Sequence, residues 1–265
     1  MRPWTKDGLL PAYRWNPHRG TIECKRMGPK AFCYQIDAWM LESHPLGCDA
    51  LERLFFSPLD SEGAEARNIL VDKGVQGLDV NRRCNFARLL LSLEARWPEA
   101  VEKVYKLAKD IDEDPEIQSI MEQEGETGTP SEWWQANAGY SFRDKLMRTL
   151  IDFSDHPKIG KHLINMTWTV SRVSDVSDSL ILSDRPLVRI GGLDEPDVKW
   201  LPPLDPWTIF CVSKYAVRLQ KKFTPRDVRG INVQSAKQAQ EYVFSVDRRH
   251  ERWLGKYLSR PSARP

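Results

Sequence analysis

Strand-like and helix-like patterns occupy separate stretches of the 265-residue chain, and this separation is the strongest constraint on its fold. Apolar and polar residues alternate with a period of two in parts of 15–45 and again in 165–213, which predicts strands. Residues 49–160 instead carry apolar residues three and four positions apart, which predicts helices. Alternating βαβ units would interleave the two patterns. The order therefore favours an α+β fold, as a single domain over 1–265.

Two regions contain the predicted strands. TIECKRM and KAFCYQI predict an N-terminal β-hairpin that turns at Gly28 and Pro29. Further along, β-branched and aromatic runs predict an antiparallel meander of about four strands: MTWTVSRV, DSLILSD, PLVRI and DPWTIFCVS. Residues 214–265 are basic, and their apolar spacing predicts a closing helix that breaks near Asp247.

The strongest helical signal, in residues 81–111, is interrupted by Pro98. A proline inside a helix removes a backbone hydrogen bond and clashes with the preceding turn, whereas the first helical position tolerates it. The segment is therefore either one kinked helix or two helices joined at Trp97, with Pro98 beginning the second.

The formal net charge of +2 conceals two oppositely charged segments. Residues 110–132 contain nine acidic residues and no Lys or Arg, and EGETGTP within them is typical of a surface loop. Residues 214–265 contain thirteen Lys and Arg against four acidic residues. Such a tail could follow a phosphate backbone while interleaved aromatic residues stack on bases, or it could be an ordinary solvated helix face. The candidate nucleic-acid contacts are Arg248, Arg249 and Arg252, and the interleaved aromatic residues are Tyr215, Phe223, Tyr242 and Trp253.

Several classes of protein are not expected. No apolar run approaches the 18 residues of a membrane-spanning helix, and no apolar stretch follows Arg2 and Lys6 as in a secretory signal. We therefore expect a cytoplasmic protein without a membrane partner. The five cysteines form no C-x-x-C pair, so neither a zinc site nor a disulfide framework is indicated, and free buried thiols are expected. The cofactor and the metal remain unassigned.

Glu52 and Asp60 are the first candidate catalytic pair. They lie eight residues apart, so an unbroken helix would place them on one face, although Pro58 lies between them. Two neighbouring carboxylates can bind a divalent ion or act as general acid and base. The structural alternative is that Asp60 caps a helix and that Glu52 pairs with Arg53 or Arg96.

Asp184 and Arg96 complete the candidate catalytic set. Asp184 lies in LSDRPL after an apolar run, where its carboxylate would either hold a ligand or bond the backbone amides of its own turn. Arg96 would be held at the helix junction before Pro98. There its guanidinium could clamp a phosphate or pair with an internal carboxylate such as Glu52 or Asp184.

Several motifs occur in a fixed order along the chain. They are the acidic helix DALERLFFSPLDSEGAEARNIL, Arg96-x-Pro98, the turn Ser183-Asp184-x-Pro186 after Trp168, Pro-Leu-x-Pro in LPPLDPWTIFCVS, and INVQSAKQAQEYVFS. Over residues 15–250 this order resembles a bacterial family catalogued as a domain of unknown function, serial number four thousand two hundred thirty-eight. The family opens with a histidine-containing segment, whereas this chain has LLPAYRWNPHRG with His18 displaced. The resemblance supports the fold and implies no reaction.

Three hypotheses for the function remain. The first is an interaction or regulatory protein of the bacterial cytoplasm, whose charged segments contact an unknown protein partner or a second copy in a homo-oligomer. The second is a metal-dependent hydrolase acting on nucleic acid, with the three carboxylates as metal ligands or base and the arginine on phosphate. The third is a non-catalytic nucleic-acid-binding protein that uses the three candidate C-terminal arginines.

Overall fold

A computed structural model describes residues 2–32, 40–42, 46–173, 178–214, 223–246 and 248–258. The α-helices there are α1 (Ser57–Lys73), α2 (Val80–Ala95), α3 (Pro98–Asp110), α4 (Pro115–Gln123), α5 (Pro130–Ala138), α6 (Phe142–Ser154), α7 (Pro157–Asn165), α8 (Pro225–Gln238) and α9 (Glu251–Leu258). The strands are β1 (Leu10–Asn16), β2 (Thr21–Met27), β3 (Thr167–Arg172), β4 (Leu182–Ser183), β5 (Val188–Ile190), β6 (Lys199–Leu201), β7 (Pro203–Asp205), β8 (Thr208–Ser213) and β9 (Val243–Phe244). The α+β class is confirmed.

The chain divides into two compact units. The first combines Met1–Tyr34, Ala66–Val80 and His162–Pro265 and contains the strands, and the second combines Gln35–Glu65 and Asn81–Lys161 and is helical. The single-domain organisation over 1–265 stays a prediction.

The first unit contains two antiparallel sheets. One has the strand order β2-β1-β9-β4, and the other has the order β3-β8-β6-β5 with β7 also pairing with β8. All six residues of β8, TIFCVS, are buried, because β8 is the central strand and carries partners on both edges. The ring of Trp168 on β3 meets Phe210 on β8 edge to face, with centroids 5.0 Å apart. The core of this sheet therefore lies around β8.

The N-terminal hairpin is present, but its strands differ from those predicted. LPAYRWN forms β1 and pairs with β2, TIECKRM, from Leu10 opposite Met27 to Asn16 opposite Thr21. The turn therefore lies at residues 17–20, where Asn16 Oδ1 accepts the backbone amides of His18 and Arg19. The segment after the Gly28 and Pro29 signal begins with a 3-10 turn, Pro29–Ala31, and much of KAFCYQI lies outside the described residues.

The strands of the sheet region are antiparallel but are not all neighbours in sequence order. β3 pairs with β8, and β4, the strand of DSLILSD, joins the N-terminal sheet through β9. β9 also corrects the closing helix, because this strand lies between α8 and α9, in the middle of the predicted helical pattern. The predicted break at Asp247 lies outside the described residues. Two-residue strands have too little local pattern to be read from sequence.

A buried amide fixes the position of β4. The side chain of Asn232 on α8 donates to Ser179 O at 2.9 Å and accepts from the backbone N–H of Ile181 at 3.0 Å. Nearby, Gln238 Nε2 donates to the carbonyl oxygens of Arg185 and Leu187. The Ser-Asp-x-Pro turn and the INVQ helix are therefore joined by side-chain to backbone hydrogen bonds.

The helical segment around Pro98 forms two helices rather than one kinked helix. α2 ends at Ala95, and Pro98 is the first residue of α3 with Trp97 as its extended N-cap. Pro98 thus occupies the position where its missing N–H costs nothing. α3 packs on α6, and buried Val101, Val104 and Met147 share one core cluster in the second unit.

The acidic segment contains a helix, α4, in addition to the loop predicted for EGETGTP, which runs from the end of α4 to the start of α5. Asp114 caps α4, with Oδ1 accepting the amides of Glu116 and Ile117. Thr129 and Glu132 form a reciprocal capping box at the start of α5. The segment therefore contains a helix of its own between two caps.

None of the helices in the described ranges is both long and apolar enough to cross a membrane.

Candidate functional site

Asp60 and Arg96 form a bidentate ion pair in the helical unit. Asp60 lies in the first turn of α1, and Arg96 follows the last residue of α2. Arg96 Nη1 donates to Asp60 Oδ2 at 2.9 Å and Nη2 donates to Oδ1 at 2.5 Å. The guanidinium also donates to Ser92 and lies 5.0 Å from the ring centroid of Phe56. Arg96 thus has an internal partner, and that partner is Asp60 rather than Glu52 or Asp184.

Glu52 forms neither a hydrogen bond nor an ion pair with Asp60 or Arg96. It begins a π-helical turn, Glu52–Phe56, that runs directly into α1, so the helix continues through Pro58 near its N-terminus. Its Oε1 accepts the hydroxyl of Ser57 at 3.2 Å, and no hydrogen bond or ion pair joins it to Asp60 or Arg96. Arg53 pairs instead with Asp49 at 3.6 Å. Asp60 lies inside a helix rather than at its N-cap, so the capping alternative is wrong.

Asp184 belongs to the other unit, where its carboxylate closes a loop. The two oxygens accept the backbone amides of Gln240, Glu241 and Tyr242 at 2.8, 2.6 and 2.9 Å. Burial raises the pKa of Asp184 above its ordinary value, although the three amides oppose the rise. The carboxylate thus bonds amides far along the chain rather than those of its own turn.

In these positions the four candidate catalytic residues mainly form hydrogen bonds and ion pairs within the protein. Asp60 and Arg96 meet each other, whereas the hydrogen bonds of Glu52 and Asp184 lead elsewhere. Within the part of the chain that the structure describes, no three His, Cys, Asp or Glu side chains are grouped to hold a metal ion. The catalytic assignment of Glu52, Asp60, Asp184 and Arg96 stays a prediction.

The C-terminal cations are differently placed, because they lie on an exposed surface of the first unit. Arg248 and Arg249 belong to the 3-10 turn Arg248–His250, and Arg252 and Lys256 belong to α9. All four are exposed. Arg252 and Lys256 are four residues apart, so they lie on one side of α9, and Arg248 precedes Arg252 by four residues in the 3-10 turn. None of these three forms an ion pair with a residue that the structure describes.

The opposite side of α9 holds it against the sheet. Leu254 is fully buried, and Trp253 and Tyr257 pack beside it. The hydroxyl of Ser245 and Nδ1 of His250 lie 2.7 Å apart, and the His250 ring meets Trp253 edge to face. Apolar and aromatic anchoring on one side therefore directs the cations to solvent on the other.

Two further cations border this surface. The ammonium of Lys237 on α8 lies 5.9 Å from the ring centroid of Tyr257. Burial raises the pKa of the Cys24 thiol on β2, and the nearby charges of Arg248 and Arg26 oppose that rise. We call the basic face the surface formed by Arg26, Lys237, Arg248, Arg252 and Lys256, and Glu251 is an acidic residue close to it.

Sequence reasoning missed part of the basic face. The four-residue spacing between Arg252 and Lys256 could have identified Lys256 as part of this surface. Arg26, in contrast, lies on β2, which only the fold brings close to α9. The interleaved aromatic residues are used differently from the stacking hypothesis. Trp253 is half-buried and packs against a core cluster, and the ring of Tyr242 lies 5.2 Å from that of Phe32. Phe223 also packs on a core cluster, and Tyr215 lies outside the described residues. The basic face is therefore suited to phosphates rather than bases.

The described cysteines are all free, but only Cys211 is buried, whereas Cys48 is exposed and Cys24 and Cys84 are half-buried.

Comparisons with curated proteins and with solved structures returned no match. A comparison with protein families matched residues 1–249 to the family described as "Protein of unknown function (DUF4238)". The match covers nearly the whole chain and includes the opening segment around His18. The chain belongs to this family of proteins of unknown function, DUF4238.

Proposed function

We propose that this protein is an interaction protein of the bacterial cytoplasm that binds nucleic acid, without catalysis, through the basic face. The observation that carries the proposal is the row Arg248, Arg252 and Lys256, exposed and without ion pairs among the described residues. Arg252 and Lys256 are separated by about 6 Å along the axis of α9, less than the Debye length of about 8 Å at physiological salt, and Arg248 precedes Arg252 by another four residues. The three charges therefore act together on one polyanion.

The basic face would recognise phosphate groups, because its exposed side chains are those of Lys and Arg. Lys and Arg that neutralise phosphates release condensed counterions, which drives binding and makes it depend steeply on salt. The neighbouring aromatic side chains are used for packing, so little base readout is expected. Binding should therefore be weakly selective for sequence.

Fluorescence anisotropy with a labelled 20-nucleotide single strand and with a 20-base-pair duplex tests this proposal. The triple variant R248Q/R252Q/K256Q is expected to bind at least about tenfold more weakly at low salt. Its plot of log affinity against log salt should also be less steep by about 2 units, since each lost phosphate contact removes about 0.7–0.9.

The matched control is K103Q/K106Q/K109Q, which removes three exposed lysines of α3 and the same net charge. It should leave affinity and salt slope nearly unchanged. Equal losses in the two triple variants, or no saturable binding by the unmodified protein, would contradict the proposal.

A protein partner is a second candidate, favoured by one observation on α4. This helix contains no buried residue, yet Ile117, Ile120 and Met121 follow a helical spacing and Ile120 is 53% exposed. A nine-residue helix is marginal without packing, so a partner that covers its apolar side would stabilise it. The surrounding carboxylates favour a cationic partner with apolar side chains.

A synthetic 14-residue Lys/Leu peptide provides the probe for this second candidate, with a Glu/Leu peptide as its charge control. I120S should weaken binding of the Lys/Leu peptide several-fold. L107S removes an apolar side chain of equal exposure from α3, and this variant should bind the Lys/Leu peptide as tightly as the unmodified protein does. Equal binding of the two peptides would exclude the charge-assisted partner.

A further inference from the structure

A shallow groove of about 500 Å³ lies in the first unit, among the N-terminal segment, the end of β3 and the turn between β7 and β8. Its size falls within the usual range for small-molecule sites. Its lining includes Thr5, Lys6, Arg172, Asp205 and Trp207. None of these residues belongs to the basic face or to the candidate catalytic set.

Trp207 is an aromatic surface held by a rigid turn. Its backbone N–H donates to Asp205 Oδ1 at 2.7 Å, and its carbonyl oxygen accepts the N–H of Val173 at 2.8 Å. The next residue, Thr208, begins the buried strand β8. The Trp207 side chain nevertheless remains 42% exposed in the groove. The backbone that carries this large aromatic ring is thus held by two hydrogen bonds, while part of the residue meets water.

Two cations line the same groove with little internal engagement. Lys6 is fixed by a backbone bridge to Leu9, and its ammonium forms no hydrogen bond or ion pair with a described residue. Arg172 forms no ion pair there, and its guanidinium makes only a 3.5 Å hydrogen bond to Val71 O. Both side chains are exposed.

The carboxylate of Asp205 offsets only one of these two charges. One of its oxygens accepts the amide of Trp207. The charge of Asp205 also acts on Arg67. Burial lowers the pKa of Arg67, and the nearby carboxylates of Asp205 and Asp72 oppose this decrease. Arg67 is in turn held by a hydrogen bond from Nε to Leu204 O at 2.6 Å. Two cations and one carboxylate therefore leave the groove lining with a formal charge of +1.

We propose that this groove binds a nucleoside phosphate, with the base stacked on Trp207 and the phosphate between Lys6 and Arg172. Stacking on an exposed aromatic ring accepts any base, and charge-assisted hydrogen bonds from Lys and Arg select the phosphate. The site is separate from the basic face, so it can bind its ligand whether or not the basic face binds nucleic acid. The ligand is either a free mononucleotide or the terminal nucleotide of a strand.

Isothermal titration with AMP and GMP tests the proposal, with adenosine, guanosine and inorganic phosphate as the partial ligands. Saturable binding of the nucleotides is expected, and each partial ligand should bind at least about tenfold more weakly. W207A should lower nucleotide affinity by about tenfold or more, in line with the usual contribution of one stacked base. K6Q and R172Q should each lower it several-fold. W133A removes a similarly exposed tryptophan from α5 and should have no effect.

Two further measurements separate the possible outcomes. A 5′-phosphorylated trinucleotide that binds more than tenfold tighter than AMP identifies a strand end as the ligand, and equal affinity identifies the free nucleotide. The R248Q/R252Q/K256Q variant should retain nucleotide binding, and W207A should retain duplex binding, so the two proposals fail independently. No saturable binding at millimolar nucleotide, or equal affinities of W207A and W133A with unchanged melting temperatures, would overturn the proposal.

Discussion

Arg96 donates two parallel hydrogen bonds to Asp60, and this pair joins the C-terminal end of α2 to the first turn of α1. The Arg96 side chain is only 16% exposed, whereas that of Asp60 is 46% exposed. Loss of the carboxylate would therefore leave a largely buried cation without its counter-charge.

We expect D60N to lower the free energy of unfolding by about 1–2 kcal/mol, since one amide oxygen cannot replace two charged acceptors. Urea denaturation measures this change. D152N is the control, because Asp152 is exposed on α6 and should change stability by less than about 0.5 kcal/mol. An equal change in the two variants would contradict the structural importance of the pair.

The packing of α1 on α2 gives a second prediction. A Cβ atom at Gly63 would lie 2.6 Å from Leu89 Cδ2 and 2.9 Å from Leu89 Cβ. G63A should therefore destabilise the protein by about 1–3 kcal/mol by overpacking, despite the higher helix propensity of alanine. G230A tests the opposite case, because no atom lies within 4 Å of the added Cβ and a gain of about 0.5–1 kcal/mol is expected. Thermal unfolding of both variants is the measurement, and the same sign for both would be inconsistent with this packing.

Asn232 carries a third prediction. N232A removes two buried hydrogen bonds that hold residues 179–181, and it leaves a carbonyl and an amide without partners. The expected loss is about 2–4 kcal/mol. N137A, on an exposed site of α5, should lose less than about 1 kcal/mol. Hydrogen exchange provides the local readout: the amide of Ile181 should lose protection in N232A, and unchanged protection would contradict the assigned role.

The thiols provide a fourth prediction. Burial raises the pKa of Cys211 on β8 to about 12, so almost none of it is thiolate at pH 8 and reagents cannot reach it. Cys48 is exposed. Iodoacetamide labelling followed by peptide mass spectrometry should therefore modify Cys48 first and Cys211 only after unfolding. Labelling of both at similar rates in the native protein would show that β8 opens readily.

Local signals explain the correct predictions. The missing N–H of Pro98 limited this segment to a kink or a helix start, and the structure has the helix start with Trp97 as its N-cap. The separation of strand and helix patterns likewise gave the α+β class, because periodicity is a property of neighbouring residues.

The remaining features depend on contacts between distant segments. Asp60 and Arg96 meet only once α1 and α2 have packed, and Asp184 bonds amides that no turn rule would assign to it. The hairpin partner was missed because β1 is mostly buried along its first half, LPAY, and so lacks a clear alternation. The place of Arg26 in the basic face depends in the same way on β2 lying beside α9.

The pairing of β1 with β9 has a consequence for synthesis of the chain. Ala12 and Tyr13 pair with Phe244 and Val243, near the opposite end of the sequence. At roughly 5–20 residues per second, a ribosome needs roughly 10–45 s to make the intervening chain. Throughout that time one edge of the nascent hairpin has no strand beside it, and such an edge can pair with other chains. Folding of the N-terminal sheet is therefore completed late, and chaperone protection of the first thirty residues would matter most before β9 emerges.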